Sequence, residues 1–139
     1  MTETKNVKIT FVPTIPAAIA FILIELVTFY LFFGRNVPSL RLPFFLTIAP
    51  EFYTHVSNFS LSLSTLVIFS FIWLSLGVPF RYIIALAGMI LGLNFLVETW
   101  VFVLNIPDLI DAYYGASGVT IGVLFLVWVK FYGLKLFQP

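Results

Sequence analysis

The feature that most constrains this chain is a series of four apolar stretches, each as long as a helix that crosses a bilayer. They cover Val12–Phe33, Asn58–Leu76, Phe80–Leu104 and Ala112–Phe131. About 20 apolar residues span the membrane hydrocarbon as an α-helix. A chain of 139 residues that is 61% hydrophobic and 9% charged cannot hide this surface in a water-soluble core. The sequence therefore predicts a single all-α domain, residues 1–139, built as a bundle of four transmembrane helices.

The connections between the spans predict which helix ends share a side of the membrane. Gly77-Val78-Pro79 breaks the helix between the second and third spans, so these two spans are antiparallel neighbours. With four spans, both termini lie on one side, which also holds most of the cations: Lys5, Lys8, Arg81, Lys130 and Lys135. Because cytoplasmic segments keep an excess of Lys and Arg, we expect both termini in the cytoplasm (N-in, C-in), with Arg35 and Arg41 on the outer side.

This topology places the single histidine and most of the acids on the outer side or in the outer leaflet: Glu51, His55, Glu98, Asp108 and Asp111. Glu98 falls inside the third span, and an acid at that depth has to face protein or a water-filled cavity. Asn94 precedes it by one helical turn on the same face and is a possible donor. Glu98 is therefore either a functional group or a structural carboxylate held by Asn94 and a hydroxyl.

Asp108 and Asp111 open the fourth span and share a face if the helix begins near Pro107. Asp108 has two interpretations, a helix cap and a chemical role, and Asp111 fits a cap less well. His55 is either a structural donor or a titratable imidazole that relays protons, or binds a metal or a head group, beside the carboxylates.

Glu25 is the deepest acid, near the middle of the first span. It is either an ion-coupling residue, as in proton-driven exporters, or a polar tie to a hydroxyl on another helix. The second span offers four such hydroxyls, on Ser60, Ser62, Ser64 and Thr65.

Two GxxxG patterns, Gly88–Gly92 in the third span and Gly118–Gly122 in the fourth, are typical of helices whose backbones approach closely in lipid. Their occurrence on consecutive spans predicts that the third and fourth helices pair through these glycines. The Asn94–Glu98 face of the third helix then looks toward the first two spans.

Composition and missing motifs exclude several classes of function. A net charge of +1 without a basic patch argues against a nucleic acid partner, and the absence of cysteine excludes disulfides and thiolate metal sites. No phosphate-binding glycine loop, nucleophile elbow or zinc signature occurs. We therefore expect no cofactor or bound metal and no active site of the kind found in soluble enzymes.

The order of the polar residues resembles the VanZ-like family, small bacterial four-helix membrane proteins named for a teicoplanin resistance factor. The resemblance rests on Glu51-x-x-x-His55 before the second span, Glu98 near the outer end of the third, and Asp108-x-x-Asp111 followed by glycines in the fourth. Phe52 and Gly115 stand where the family has Lys and Asn. Membership would imply a role at the cell envelope, such as glycopeptide tolerance, without assigning a reaction.

The leading hypothesis is an inner-membrane protein whose outward-facing pocket engages an envelope component or a membrane protein partner. The pocket would contain Glu51, His55, Asn94, Glu98, Asp108 and Asp111. A small proton-coupled transporter that uses Glu25 is the first alternative. A structural subunit of a larger membrane complex, which needs no site, is the second.

Overall fold

The computed structural model describes residues 9–100 and 108–138, which form four long helices, two short helical turns and two short strands. In chain order the elements are β1 (Phe11–Pro13), α1 (Ile15–Gly34), a 3-10 turn (Pro38–Leu40), α2 (Pro43–Ile48), α3 (Phe52–Ser75), α4 (Phe80–Trp100), α5 (Leu109–Tyr132) and β2 (Leu134–Leu136). Helices α1, α3, α4 and α5 are each long and apolar enough to cross a membrane. The predicted all-α bundle of four membrane-spanning helices is confirmed.

The helices begin and end at residues with a clear local cause. The Ala17 amide donates to the Thr14 hydroxyl at the start of α1, and Asp108 caps α5 by accepting from the Ile110 amide at 2.9 Å. Helix α3 ends at Ser75, and Gly77, whose φ is 75°, closes the turn that leads into α4. Helix α3 also begins six residues before the predicted span, because hydropathy detects only the apolar part of a helix whose first turns are polar.

A two-stranded antiparallel sheet joins the two termini at one end of the bundle. Val12 pairs with Lys135 in the sheet, and the Thr10 amide donates to Ser75 O at the end of α3. The termini and the turn after α3 therefore share one end, as the sequence predicted. The sheet itself was not predicted, because strands of three residues are too short to show an alternating pattern.

The segment between α1 and α3 folds back over the opposite end of the bundle. Arg41 Nε donates to Gly34 O at 2.9 Å, and the Leu42 amide donates to the Tyr53 hydroxyl at 2.8 Å. These bonds satisfy backbone groups where α1 ends and anchor the segment on the first turn of α3. The segment is not a continuous helix, because Pro38, Pro43 and Pro50 interrupt it.

Helices α3 and α5 form the centre of the bundle and pack through glycines. A Cβ atom on Gly118 would lie 2.4 Å from the carbonyl oxygen of Phe59, and one on Gly122 would lie 3.0 Å from Leu66 Cδ2. Both contacts are with α3. A Cβ atom on Gly88 or Gly92 would meet no atom of residues 9–100 and 108–138 within 4 Å. Helices α4 and α5 do pack against each other, as predicted, but the prediction that both GxxxG patterns form their contact is wrong, because a small-residue pattern does not name the helix it contacts.

Candidate functional site

The polar residues meet at the end of the bundle where two parallel neighbouring helices, α3 and α5, begin. Helices α3 and α5 both end beside the β1–β2 sheet, so both start at the opposite end of the bundle. His55 lies in the first turn of α3 and Asp111 in the first turn of α5, directly after the Asp108 cap. The positive ends of two helix dipoles point at this region and favour the acids gathered there.

His55 is buried and in direct contact with the start of α5. Its side chain places Nδ1 2.9 Å from Asp111 Oδ1 and 3.6 Å from Asp108 Oδ2, with 4% of the residue exposed. An ionised carboxylate only accepts hydrogen bonds, so Nδ1 carries the proton in this contact and Nε2 of a neutral ring is left as the acceptor. The pair fixes both the tautomer and the orientation of the imidazole.

The second ring nitrogen of His55, Nε2, lies toward Glu51. His55 Nε2 is 3.8 Å from Glu51 Oε2, on a carboxylate whose side chain is 77% exposed. Both residues line a pocket of about 370 Å³ whose other walls are Ala49, Pro50, Ile110 and Tyr114. The pocket therefore offers a buried imidazole and a solvated carboxylate to a ligand that enters from the end of the bundle.

Glu98 connects α4 to this site. Its carboxylate is buried, with Oε1 accepting from Asn58 Nδ2 at 3.4 Å and Oε2 accepting from the Asp108 amide at 3.3 Å. The predicted donor, Asn94, instead bonds to Ser62 Oγ and to Ile90 O. Sequence reasoning missed Asn58, although it follows His55 by three residues and so shares its helix face.

Three of these residues also present ligand atoms of the kind that hold a divalent cation. One atom each from His55, Asp108 and Asp111 lies within 4.8 Å of the others. An imidazole nitrogen with two carboxylate oxygens suits several first-row metals. The site therefore supports two kinds of chemistry, a carboxylate-oriented base and a cation site, and the sequence left the same alternatives open for His55.

Glu25 lies apart from this cluster. The Ser64 hydroxyl donates to its Oε2 at 2.7 Å, and Ser64 follows His55 by nine residues, about 13 Å along α3. The carboxylate is 8% exposed, and its Oε1 has no partner among the described residues. The structure thus brings Glu51, His55, Glu98, Asp108 and Asp111 together and leaves Glu25 as a separate polar contact between α1 and α3.

No protein-family model, curated protein or solved structure matches this chain. What the site does must therefore be inferred from its own atoms.

Proposed function

We propose that this protein is a VanZ-like protein of the bacterial inner membrane that binds an envelope component at the end of the bundle containing His55. The order of Glu51, His55, Glu98, Asp108 and Asp111 along the chain supports the family. The excess of Lys and Arg at the other end supports a cytoplasmic position for both termini. The His55 end then faces the outside, where envelope components are found.

The observation that carries the proposal is the 2.9 Å contact between His55 Nδ1 and Asp111 Oδ1. A buried imidazole held in one orientation by a carboxylate is costly to maintain and is typical of binding and catalytic sites. Its free nitrogen accepts a proton or a hydrogen bond from a hydroxyl or an ammonium group, and Glu51 adds a negative charge beside it. Envelope polymers are rich in such donors.

The test replaces the two partners in a host that lacks the native protein. His55→Gln and Asp111→Asn keep the size of each side chain but remove the imidazole and the charge that orients it. We expect normal protein abundance and a sensitivity to glycopeptide antibiotics equal to that of the deletion strain. The matched control is Ser117→Ala, an α5 residue whose hydroxyl bonds to its own helix at Tyr114 O and to no other residue that the structure describes. Normal abundance with unchanged sensitivity in both variants would refute the proposal.

A second candidate, a small proton-coupled transporter, is favoured by one specific observation. Glu25 is buried with one carboxylate oxygen unpartnered within the described ranges, which is how a carboxyl that binds and releases a proton is expected to sit. Purified protein would then release protons when a transported cation is added, and Glu25→Gln would abolish the release. No release with any cation tested would leave Glu25 as a structural contact.

A further inference from the structure

A groove with a polar floor runs between α3 and α4, below the His55 site. Its polar lining comes from Asn58, Ser62, Thr65, Asn94 and Glu98, and its volume is about 280 Å³. That is at the lower end of ordinary ligand pockets, roughly 300 Å³ and above. It therefore fits one small headgroup rather than a large ligand.

The groove opens toward lipid. Leu61 and Leu93 also line it, and they are 56% and 51% exposed on helices that are long and apolar enough to cross a membrane. Asn94 lies six residues before the end of α4, about 9 Å along the helix, within a hydrocarbon half-thickness of about 15 Å. The polar floor therefore extends below the depth at which ordinary lipid headgroups sit.

One hydroxyl in the groove lacks the partner that most of the helical threonines in the described ranges have. Thr28, Thr99 and Thr120 each donate to the carbonyl four residues earlier in their own helix. Thr65 is exposed, and no partner for its hydroxyl lies in the part of the chain that the structure describes. A hydroxyl that faces hydrocarbon without a partner is costly, so the position favours a polar group brought there by a ligand.

The charges in the groove select the headgroup. Glu98 supplies an acidic wall, and no Lys or Arg lines the groove within residues 9–100 and 108–138. A phosphate would be repelled there, whereas sugar hydroxyls can donate to the carboxylate and accept from donors. We propose that the α3–α4 groove binds the uncharged sugar headgroup of a glycolipid, which enters sideways from the bilayer while its acyl chains stay in lipid.

Glu98 links this groove to the His55 site. Its carboxylate lines the groove and also accepts from the Asp108 amide, and Asp108 Oδ2 is 3.6 Å from His55 Nδ1. A bound headgroup would therefore lie next to the cluster at the start of α5. The inference rests on the proposed function in that it names the ligand class for this end of the bundle.

The experiment measures lipid binding to the purified full-length protein by native mass spectrometry. The probes are monoglucosyl diacylglycerol, phosphatidylglycerol and diacylglycerol with identical acyl chains. We expect the glycolipid to bind roughly tenfold more tightly than the other two, the ratio that one or two net hydrogen bonds provide. Equal binding of all three lipids would overturn the proposal.

Thr65→Val tests the groove itself, because it removes only a hydroxyl that has no partner to lose in the described structure. We expect it to weaken glycolipid binding roughly fivefold. Thr120→Val, which removes an exposed hydroxyl bonded to its own helix, should leave binding unchanged. If Thr65→Val binds glycolipid like the native protein, or if the groove is occupied by a second copy seen as a dimer that Thr65→Val weakens, the inference is wrong.

The two proposals fail separately. Loss of antibiotic tolerance in the His55 variants with no glycolipid selectivity would retain the proposed function and remove only the ligand class. Selective binding with no phenotype in the His55 variants would retain the groove and remove the envelope role.

Discussion

The two central helices and the two flanking helices bury very different shares of their membrane spans. Half of the α3 span and 44% of the α5 span are buried inside the protein, against 22% for α1 and 17% for α4. Lipid surrounds the flanking helices, and it is as apolar as their side chains, so hydrophobic burial does not hold them. The two pairs must be held in different ways.

Close backbone approach distinguishes the central pair, whereas the flanking helices add polar side-chain contacts to apolar packing such as that of Ile83 and Ile90 of α4. Gly118 brings α5 against the backbone of α3 at Phe59. Helix α1 reaches α3 through Glu25 and Ser64, and α4 reaches it through Asn94 and Ser62. Positions two residues apart on a helix differ by about 200° around its axis, so Ser62 and Ser64 face opposite sides of α3. The serine-rich stretch of α3 thus serves as the attachment for a helix on each side.

The largest effect is expected where the central helices meet. Gly118→Ala places a Cβ atom 2.4 Å from Phe59 O, a backbone atom that cannot rotate away. We expect a loss of roughly 3 kcal/mol in the free energy of unfolding, as for severe overpacking. The measurement is reversible unfolding of the purified protein in mixed micelles, followed by circular dichroism.

Gly88→Ala is the matched control on a flanking helix, since its Cβ would meet no described atom within 4 Å. It should leave stability unchanged or raise it by up to about 1 kcal/mol through helix propensity. Equal losses in the two alanine variants would mean that the central and flanking helices do not differ in packing.

A smaller loss of stability is expected where Gly115 of α5 lies against Asn94 of the flanking helix α4. A Cβ atom on Gly115 would lie 2.4 Å from the Asn94 side-chain oxygen, which belongs to a flexible side chain that can move. Gly115→Ala should therefore cost about 1–2 kcal/mol, mainly by breaking the bond from Asn94 to Ser62. In an Asn94→Ala background the substitution should cost much less, and an undiminished cost there would contradict this account.

Much of this architecture could be predicted from hydropathy and charge alone. Four apolar stretches predicted four helices, and their even number placed both termini at one end. The helix that each glycine pattern contacts could not be predicted. Gly88 and Gly92 match the same pattern as Gly118 and Gly122 but face open space, because a pattern records small residues and not the surface they meet.

Five of the six predicted members of the site lie together, whereas Asn94 bonds to Ser62 and Ile90 instead, and the contacts themselves were not predicted. The topology brought His55, Asp108 and Asp111 to one end of the bundle, and the structure places them in contact. The donor to Glu98 was assigned to Asn94 because spacing along one helix is visible in a sequence. Asn58, a side-chain donor that the structure does give Glu98, comes from another helix, and contacts between helices depend on rotations that the sequence does not display.

The smallest changes in the free energy of unfolding are expected for two serines on α3. They give the sharpest test of whether polar contacts hold a flanking helix. The Ser64 hydroxyl donates to Glu25, whereas Ser70 is fully buried and its hydroxyl has no partner among the described residues. Ser64→Ala should lower the free energy of unfolding by roughly 0.6–1 kcal/mol, the range measured for hydrogen bonds between membrane helices. Ser70→Ala removes an unsatisfied buried group and should leave stability unchanged or raise it by up to about 1 kcal/mol.

Combining Ser64→Ala with Glu25→Ala tests whether the loss of stability in Ser64→Ala comes from its contact with Glu25. Once Glu25 is absent, Ser64→Ala should cost almost nothing, since the two side chains act as one contact. Ser70→Ala should have the same effect with or without Glu25. If Ser64→Ala is as harmless as Ser70→Ala in the native background, then the Glu25 contact does not hold α1, and α1 must be retained by its apolar packing against α3.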